Sequence, residues 1–158
     1  MLKLMLAHNI GNAPLLHEEE KQRIIRYLEG LPDDNKLCHG DFHPDNVLMG
    51  QTLFIIDWMT AAVGSPAADA ARTLILLGMG MLPQGTPRFI VWVVSLLRKR
   101  LREQYQKRYI ELSGISLSEI ERWTMPVAAA RLVEWVPEGE KNQLVQWVRE
   151  QLSNMIDT

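Results

Sequence analysis

Apolar residues recur at helical spacing along most of the chain. In residues 17–28, Ile24, Ile25 and Leu28 fall on one side of an otherwise charged segment, which is typical of an amphipathic helix. A turn rich in glycine, proline and aspartate follows and ends that helix. Beyond the turn the pattern predicts four more helices, punctuated by proline and glycine, over residues 67–81, 89–109, 118–135 and 138–156.

Strand spacing occurs in one short region. Two β-prone runs, 47–49 and 53–56, are joined by a Gly50-Gln51 turn and predict a hairpin. The predicted fold class is therefore mainly α with a small β-hairpin (α+β). No repeat or long linker divides the chain, so we predict a single domain of 158 residues. It has two predicted parts, a loop with its hairpin and a helical remainder, residues 37–58 and 67–156.

Composition and charge exclude several classes of protein. With 47% hydrophobic and 23% charged residues, the chain has the composition of a soluble globular protein. The net charge of -2 creates no overall field that favours nucleic acid or an anionic membrane. The basic residues between Arg98 and Arg108 are interpreted as the solvated end of a long helix rather than as an RNA or membrane patch. We expect neither a nucleic-acid nor a membrane partner.

The cysteine content and the amino terminus bear on localisation. Cys38 is the only cysteine, which excludes an internal disulfide and a Cys-x-x-Cys zinc site and fits a reducing compartment. The apolar start, residues 1–6, is interrupted by Lys3 and is too short for a signal peptide. No apolar run reaches the length of a membrane span. The sequence therefore predicts a cytoplasmic protein.

One segment carries more polar ligands than a turn requires. It contains six acidic, amide or imidazole side chains: His39, Asp41, His43, Asp45, Asn46 and Asp57. Phosphoryl transfer requires a carboxylate that orients and deprotonates the attacking hydroxyl, and oxygen ligands that hold magnesium across the nucleotide phosphates. Aspartate and asparagine supply both kinds of group.

These residues form a two-part motif, His39-Gly40-Asp41-x-His43-x-x-Asn46 and Ile56-Asp57-Trp58. The motif resembles the catalytic loop and the metal-binding aspartate of the aminoglycoside phosphotransferase and choline kinase family, which shares its fold with the protein kinases. A later segment, Gly64-x-Pro66-x-x-Asp69-x-Ala71, is similar to the family's continuation into the next helix. The resemblance implies the helical C-terminal lobe of the protein-kinase-like fold.

The resemblance also implies roles for single residues. Asp41 would be the catalytic base, and Asn46 and Asp57 would be ligands of Mg2+, with ATP or GTP as the co-substrate. Three residues are implied to support the loop from behind: His39, His43 and Asp69. Two of these assignments stay open here, because His43 could instead approach the phosphates and Asp69 could simply be a helix-start carboxylate.

A kinase of this family also needs a β-rich lobe that covers ATP, with a strand lysine paired to a helix glutamate. The lysines ahead of the motif are Lys3, Lys21 and Lys36, and none lies in a Val-Ala-x-Lys-like strand. We therefore expect the N-terminal ATP-covering lobe to be missing from this chain. That lobe, or a second copy of the chain in a homo-oligomer, becomes a candidate partner.

The favoured function is transfer of the γ-phosphoryl group of ATP or GTP to a hydroxyl of a small molecule. The substrate could be cationic, because Glu134 and Trp135 would offer a carboxylate and an aromatic face, but a solvated helix end explains both residues equally well. The sequence leaves open the acceptor, the nucleotide, the oligomeric state, and whether the chain is a truncated enzyme or a pseudoenzyme.

Two other functions compete with this one. The first is a non-catalytic remnant of the same fold that serves as a binding or assembly module. The second is a metal-dependent hydrolase whose ligands would alternate along an extended segment: His39, Asp41, His43 and Asp45. Gly40 and Pro44 disfavour a regular strand there, and no later His or Cys cluster completes a transition-metal set.

Overall fold

The computed structural model describes residues 1–79, 85–135 and 137–155. Within these ranges the chain forms six α-helices: α1 (Leu2–Gly11), α2 (Glu18–Gly30), α3 (Pro66–Gly78), α4 (Arg88–Ser113), α5 (Leu117–Ala130) and α6 (Glu138–Asn154). Four short strands lie between α2 and α3: β1 (Lys36–Cys38), β2 (Val47–Met49), β3 (Leu53–Ile55) and β4 (Ala62–Gly64). The predicted mainly α fold with a β-hairpin is confirmed.

Helix α3 lies in the middle of the core, where it packs against α4 and α5. Small residues let the neighbouring helices approach closely, and those buried on α3 are Ala67, Ala68, Ala70 and Ala71. Trp123 of α5 and Leu28 of α2 are fully buried in the same core. Burying a large apolar side chain contributes roughly 1.5–3 kcal/mol, so this cluster supplies much of the stability that holds the polar segment in place.

Two antiparallel strand pairs hold the polar segment. β2 and β3 form the predicted hairpin, with Val47 opposite Ile55. β1 pairs with β4, so that Cys38 lies opposite Ala62 and residues 39–61 leave and rejoin the body of the protein at one place. The sequence pattern does not predict this second pair, because strands of three residues so far apart in the chain leave no periodic signal.

Two differences from the predicted helices stand out. Helix α1 is not predicted, although Leu2, Leu6 and Ile10 recur at the helical interval of four and are buried. Helix α5 ends at Ala130 and passes into a 3-10 turn at Arg131–Val133 instead of continuing to residue 135. The predicted ends of two other helices, residues 81 and 156, lie outside the described residues. In the described ranges no helix combines the length and the apolar character that crossing a bilayer requires.

An ion pair joins the first turn of α2 to α6. Arg149 donates to Glu20 from Nε at 2.6 Å and from Nη2 at 3.2 Å, and Glu20 also accepts the backbone N–H of His17 at 2.7 Å. The hydrogen bonds from Arg149 hold the pKa of Glu20 below its ordinary value of 4.5, while burial opposes them. Because the folded-state pKa is lowered, this stabilisation is complete above pH 4.5 and is lost as the pH falls through the folded-state value.

We expect Glu20→Gln to lower the free energy of unfolding by about 1 kcal/mol at neutral pH, a small effect because solvent screens Arg149, whose side chain is 42% exposed. Urea unfolding at a series of pH values should show this difference from the wild type shrinking as the solution becomes acidic. Glu19→Gln removes an exposed carboxylate from the same helical turn and should change little. A loss that does not depend on pH would contradict the assignment.

Candidate active site

The imidazole of His39 ties the start of the loop to the residue before Asp57. His39 Nε2 lies 2.9 Å from the carbonyl oxygen of Ile56, and Nδ1 lies 3.2 Å from the backbone nitrogen of Asp41. Since Nδ1 accepts the Asp41 N–H, Nε2 carries the ring proton and donates to Ile56. His39 is buried and both ring nitrogens are engaged, so it supports the loop from behind.

Asp69, in the first turn of α3, holds the backbone of the same loop. Its carboxylate accepts the N–H groups of His39 at 2.8 Å and of Gly40 at 2.7 Å. Thr60 adds a hydrogen bond from Oγ1 to the carbonyl oxygen of His39 at 3.1 Å. The structure therefore places the Asp69 carboxylate against the loop.

Asp41, His43 and Asn46 converge on one another. The buried Asn46 donates from Nδ2 to the carbonyl oxygen of Asp41 at 2.8 Å, with Asp41 Oδ2 at 3.4 Å and His43 Nε2 at 3.2 Å from the same nitrogen. A 3-10 turn at Pro44–Asn46 brings the chain back to make these contacts. His43 therefore contacts other side chains of the loop, and the amide nitrogen of Asn46 makes all three of these contacts.

Asp57 follows the hairpin in a left-handed backbone conformation, with φ 60° and ψ 63°. Among the described residues it is the only non-glycine residue with a positive φ, a state that costs on the order of 1–3 kcal/mol and persists where the surroundings impose it. Its neighbour Ile56 is fixed on both sides, because the N–H donates to the carbonyl oxygen of Asn46 at 3.0 Å and the carbonyl accepts from His39. The exposed Asp57 carboxylate is held next to the loop.

Arg72 contributes to this site, although it lies outside the motif that predicts the site. It donates from Nε to the carbonyl oxygen of Gly40, and its Nη2 lies 3.4 Å from Asp41 Oδ1. Its Nη1 lies 2.5 Å from Glu134 Oε1. One signal was present in the sequence: Arg72 follows Asp69 by three residues, and residues at that interval share a helix face.

A comparison with protein-family models matches residues 5–114, more than half of the chain, to a family described as the phosphotransferase enzyme family. The chain belongs to that family. Neither the comparison with curated proteins nor that with solved structures gave a significant match. The matched residues include the loop, the hairpin and α3, so the family resemblance seen in the motif is confirmed.

Phosphotransferases that act on ATP use Mg2+ held by oxygen ligands. Asn46 and Asp57 fit that requirement, because an amide oxygen and an exposed carboxylate are hard donors of the kind that Mg2+ prefers. Within the described ranges, no group of three or more His, Cys, Asp and Glu side chains is arranged to hold a metal ion by itself. The hydrolase hypothesis therefore gains no support. Two of its four proposed ligands lie in different surroundings, since His39 is buried and Asp45 is exposed.

The predicted substrate-binding pair, Glu134 and Trp135, lies beyond the residues matched to the phosphotransferase family. Both carboxylate oxygens of Glu134 are engaged, Oε1 with Arg72 and Oε2 with Arg131 Nη1 at 3.2 Å. Trp135 is 98% exposed. The protein itself neutralises Glu134, whereas the indole of Trp135 is exposed to solvent.

Cys38 immediately precedes the loop without joining its chemistry. The thiol is buried and lies 3.4 Å from the carbonyl oxygen of Ser65, to which it donates. Burial, with a smaller contribution from the charge of Asp69, raises the pKa of Cys38 to about 12. The thiol is therefore protonated at neutral pH, and in that form it is not a nucleophile.

Proposed function

We propose that this phosphotransferase-family chain transfers the γ-phosphoryl group of ATP or GTP to a hydroxyl of a small molecule. We propose further that it is the helical C-terminal lobe of a protein-kinase-like fold. The supporting observation is the hydrogen-bonded unit in which Asn46 contacts Asp41 and, through Ile56, the segment of Asp57. A base and metal ligands in one rigid unit suit phosphoryl transfer, in which catalysis depends on positioning and charge stabilisation.

In the proposed reaction Asp41 accepts the proton of the acceptor hydroxyl while the hydroxyl oxygen bonds to the γ-phosphorus. The bond from the γ-phosphorus to the bridging oxygen breaks, and the nucleoside diphosphate leaves with that electron pair. Asn46 and Asp57 would hold Mg2+, which neutralises charge on the phosphates when it is bound with the nucleotide. His39, His43 and Asp69 keep the loop in shape.

The hairpin beside these ligands leaves large apolar side chains exposed: Leu48, Met49, Leu53, Phe54 and Ile55. Contiguous exposed apolar surface marks an interaction site in a globular protein. We propose that an ATP-covering lobe lies against the hairpin and supplies the lysine and the covering loop that these 158 residues lack. That lobe would come from another segment of the protein, because a second copy of these 158 residues would lack the same groups.

We expect the chain to bind Mg2+ weakly alone and more tightly with ADP, because two oxygen ligands leave most of the coordination shell to water until phosphate oxygens join it. Calorimetric titration of ADP in the presence of Mg2+ should detect binding by the wild type, and Asp57→Ala should abolish it. Asp45→Ala removes an exposed carboxylate from the same loop and is the matched control. It should bind like the wild type.

Three other outcomes would change the proposal. Equal Mg2+-dependent binding by the wild type and Asp57→Ala would remove Asp57 from the site. A folded chain that binds no Mg2+-nucleotide would favour the non-catalytic remnant. Tight Zn2+ binding that required His39 and His43 would favour the hydrolase instead.

A further inference from the structure

Five charged side chains form a continuous series of contacts from the loop to α6: Asp41, Arg72, Glu134, Arg131 and Glu140. The successive contact distances are 3.4, 2.5, 3.2 and 3.0 Å. None of the five side chains is more than 29% exposed, so solvent screens these contacts less than it screens surface ion pairs. This series of contacts joins α3, the 3-10 turn and α6 to Asp41, the proposed catalytic base.

Arg72 touches the loop at two points. Its Nε fixes the carbonyl group of Gly40, which is the peptide immediately before Asp41, and its Nη2 approaches Asp41 Oδ1. The other carboxylate oxygen, Oδ2, faces Asn46 Nδ2 and His43 Nε2, both at 3.4 Å. With a neighbour at each oxygen, the Asp41 carboxylate is restrained in one orientation.

We propose that Arg72 is a positioning residue, which holds the Asp41 carboxylate in the orientation needed to accept the proton of the acceptor hydroxyl. This inference rests on the proposed phosphotransferase function. Glu134 binds a different nitrogen of the same guanidinium, Nη1, and so helps to fix its orientation. Arg131 and Glu140 anchor Glu134 in turn, so α6 supports the base without touching it.

The geometry requires arginine at this position. A guanidinium is planar and directs several N–H groups in fixed directions, so one side chain can contact Gly40, Asp41 and Glu134 at once. Lysine carries the same charge as a single point and cannot maintain all three contacts. If Arg72 only fastens α3 to the loop, its replacement should weaken the binding of a ground-state ligand and of a transition-state mimic equally. If Arg72 positions Asp41, its replacement should weaken mainly the binding of the mimic.

The test compares the binding of Mg2+-ADP with that of Mg2+-ADP and aluminium fluoride, a mimic of the transferring phosphoryl group. The mimic contains the counterpart of the transferring phosphoryl group, next to which Asp41 acts in the proposed reaction, whereas ADP lacks that group. We expect Arg72→Gln to weaken binding of the mimic by about tenfold and to leave Mg2+-ADP affinity within about twofold. Arg72→Lys should fall between Arg72→Gln and the wild type.

Two controls separate positioning from folding. Arg23→Gln removes another partly buried arginine, which donates to the carbonyl oxygen of Leu152 far from the loop, and should not affect binding of either ligand. If Arg72 acts through Asp41, then adding Arg72→Gln to Asp41→Ala should cause no further loss of mimic binding. Thermal unfolding of every variant would verify that each remains folded under the binding conditions.

The outcomes distinguish the two proposals. A wild-type chain that fails to bind Mg2+-ADP, or that binds the mimic no better than ADP, overturns the proposed function and this inference with it. A wild type that prefers the mimic, together with Arg72→Gln that keeps the same preference, overturns only the role of Arg72. Equal losses for both ligands, or additive losses in the double variant, would also reduce Arg72 to a structural residue.

Discussion

Gly40→Ala is expected to lower the free energy of unfolding by about 3 kcal/mol and to abolish Mg2+-nucleotide binding. Gly40 has a φ of +79°, and a Cβ there would stand 2.5 Å from the backbone carbonyl oxygen of Thr60. The backbone cannot yield without moving the hydrogen bonds that Gly40 makes with Asp69 and Arg72. The substitution therefore combines conformational strain with a collision inside the loop that presents Asp41.

Gly114→Ala is a control that separates these two effects. Gly114 ends α4 with a φ of +73°, but a Cβ there would meet no atom within 4 Å. It should lose about 1 kcal/mol from the left-handed conformation alone and keep normal nucleotide binding. Denaturant unfolding and calorimetry of both variants provide the comparison. If Gly40→Ala lowered the free energy of unfolding no more than Gly114→Ala does, the loop would not be closely packed against Thr60.

Glu140→Gln is expected to lower the free energy of unfolding by about 3 kcal/mol. Glu140 is 4% exposed, and its Oε1 lies 3.0 Å from Nη2 of the buried Arg131. Removing one partner of a buried ion pair leaves the other charge without full compensation, and that desolvated charge is the main cost. Within the described ranges the Nε of Arg131 has no hydrogen-bond partner, so this guanidinium tolerates little further loss.

Glu138→Gln is the matched control, because Glu138 is an exposed carboxylate in the same first turn of α6. Both variants remove a negative charge near the N-terminus of α6, so both lose the same favourable interaction with the helix dipole. Glu138→Gln should therefore lower the free energy of unfolding by no more than about 0.5 kcal/mol. Replacing both members of the pair, as Arg131→Met with Glu140→Leu, should recover much of the loss since apolar side chains of similar size fill the space without buried charge. A Glu140→Gln variant as stable as Glu138→Gln would show that the buried pair contributes nothing.

The parts of the site that could be predicted are those determined by short stretches of sequence. Asp41 and Asn46 belong to one loop, and the run from Val47 to Ile55 has the alternation and turn of a hairpin, which returns the chain to Asp57. Hydrogen bonds within this short stretch then join the loop to the end of the hairpin, as the bond from the Ile56 N–H to the Asn46 carbonyl oxygen shows. The family resemblance rests on the same local order and spacing.

The ion pair of Arg72 with Glu134 could not be predicted in the same way. These residues lie 62 positions apart, and their contact depends on how α3 and α5 pack and on the 3-10 turn at Arg131–Val133. Glu134 illustrates the consequence, because as an isolated carboxylate near a helix junction it suggested a site for a cationic substrate. In the folded chain two arginines neutralise it.

The sequence by itself determined the helical character of the chain, the hairpin and the membership of the phosphotransferase enzyme family, because periodicity, turn residues and motif spacing are local properties. Only the tertiary structure decided that β1 pairs with β4, that Asp69 and Arg72 hold the loop, and that a series of buried and partly buried charges reaches from Asp41 to α6. Those contacts depend on which helix faces meet, and side-chain packing over the whole core decides that.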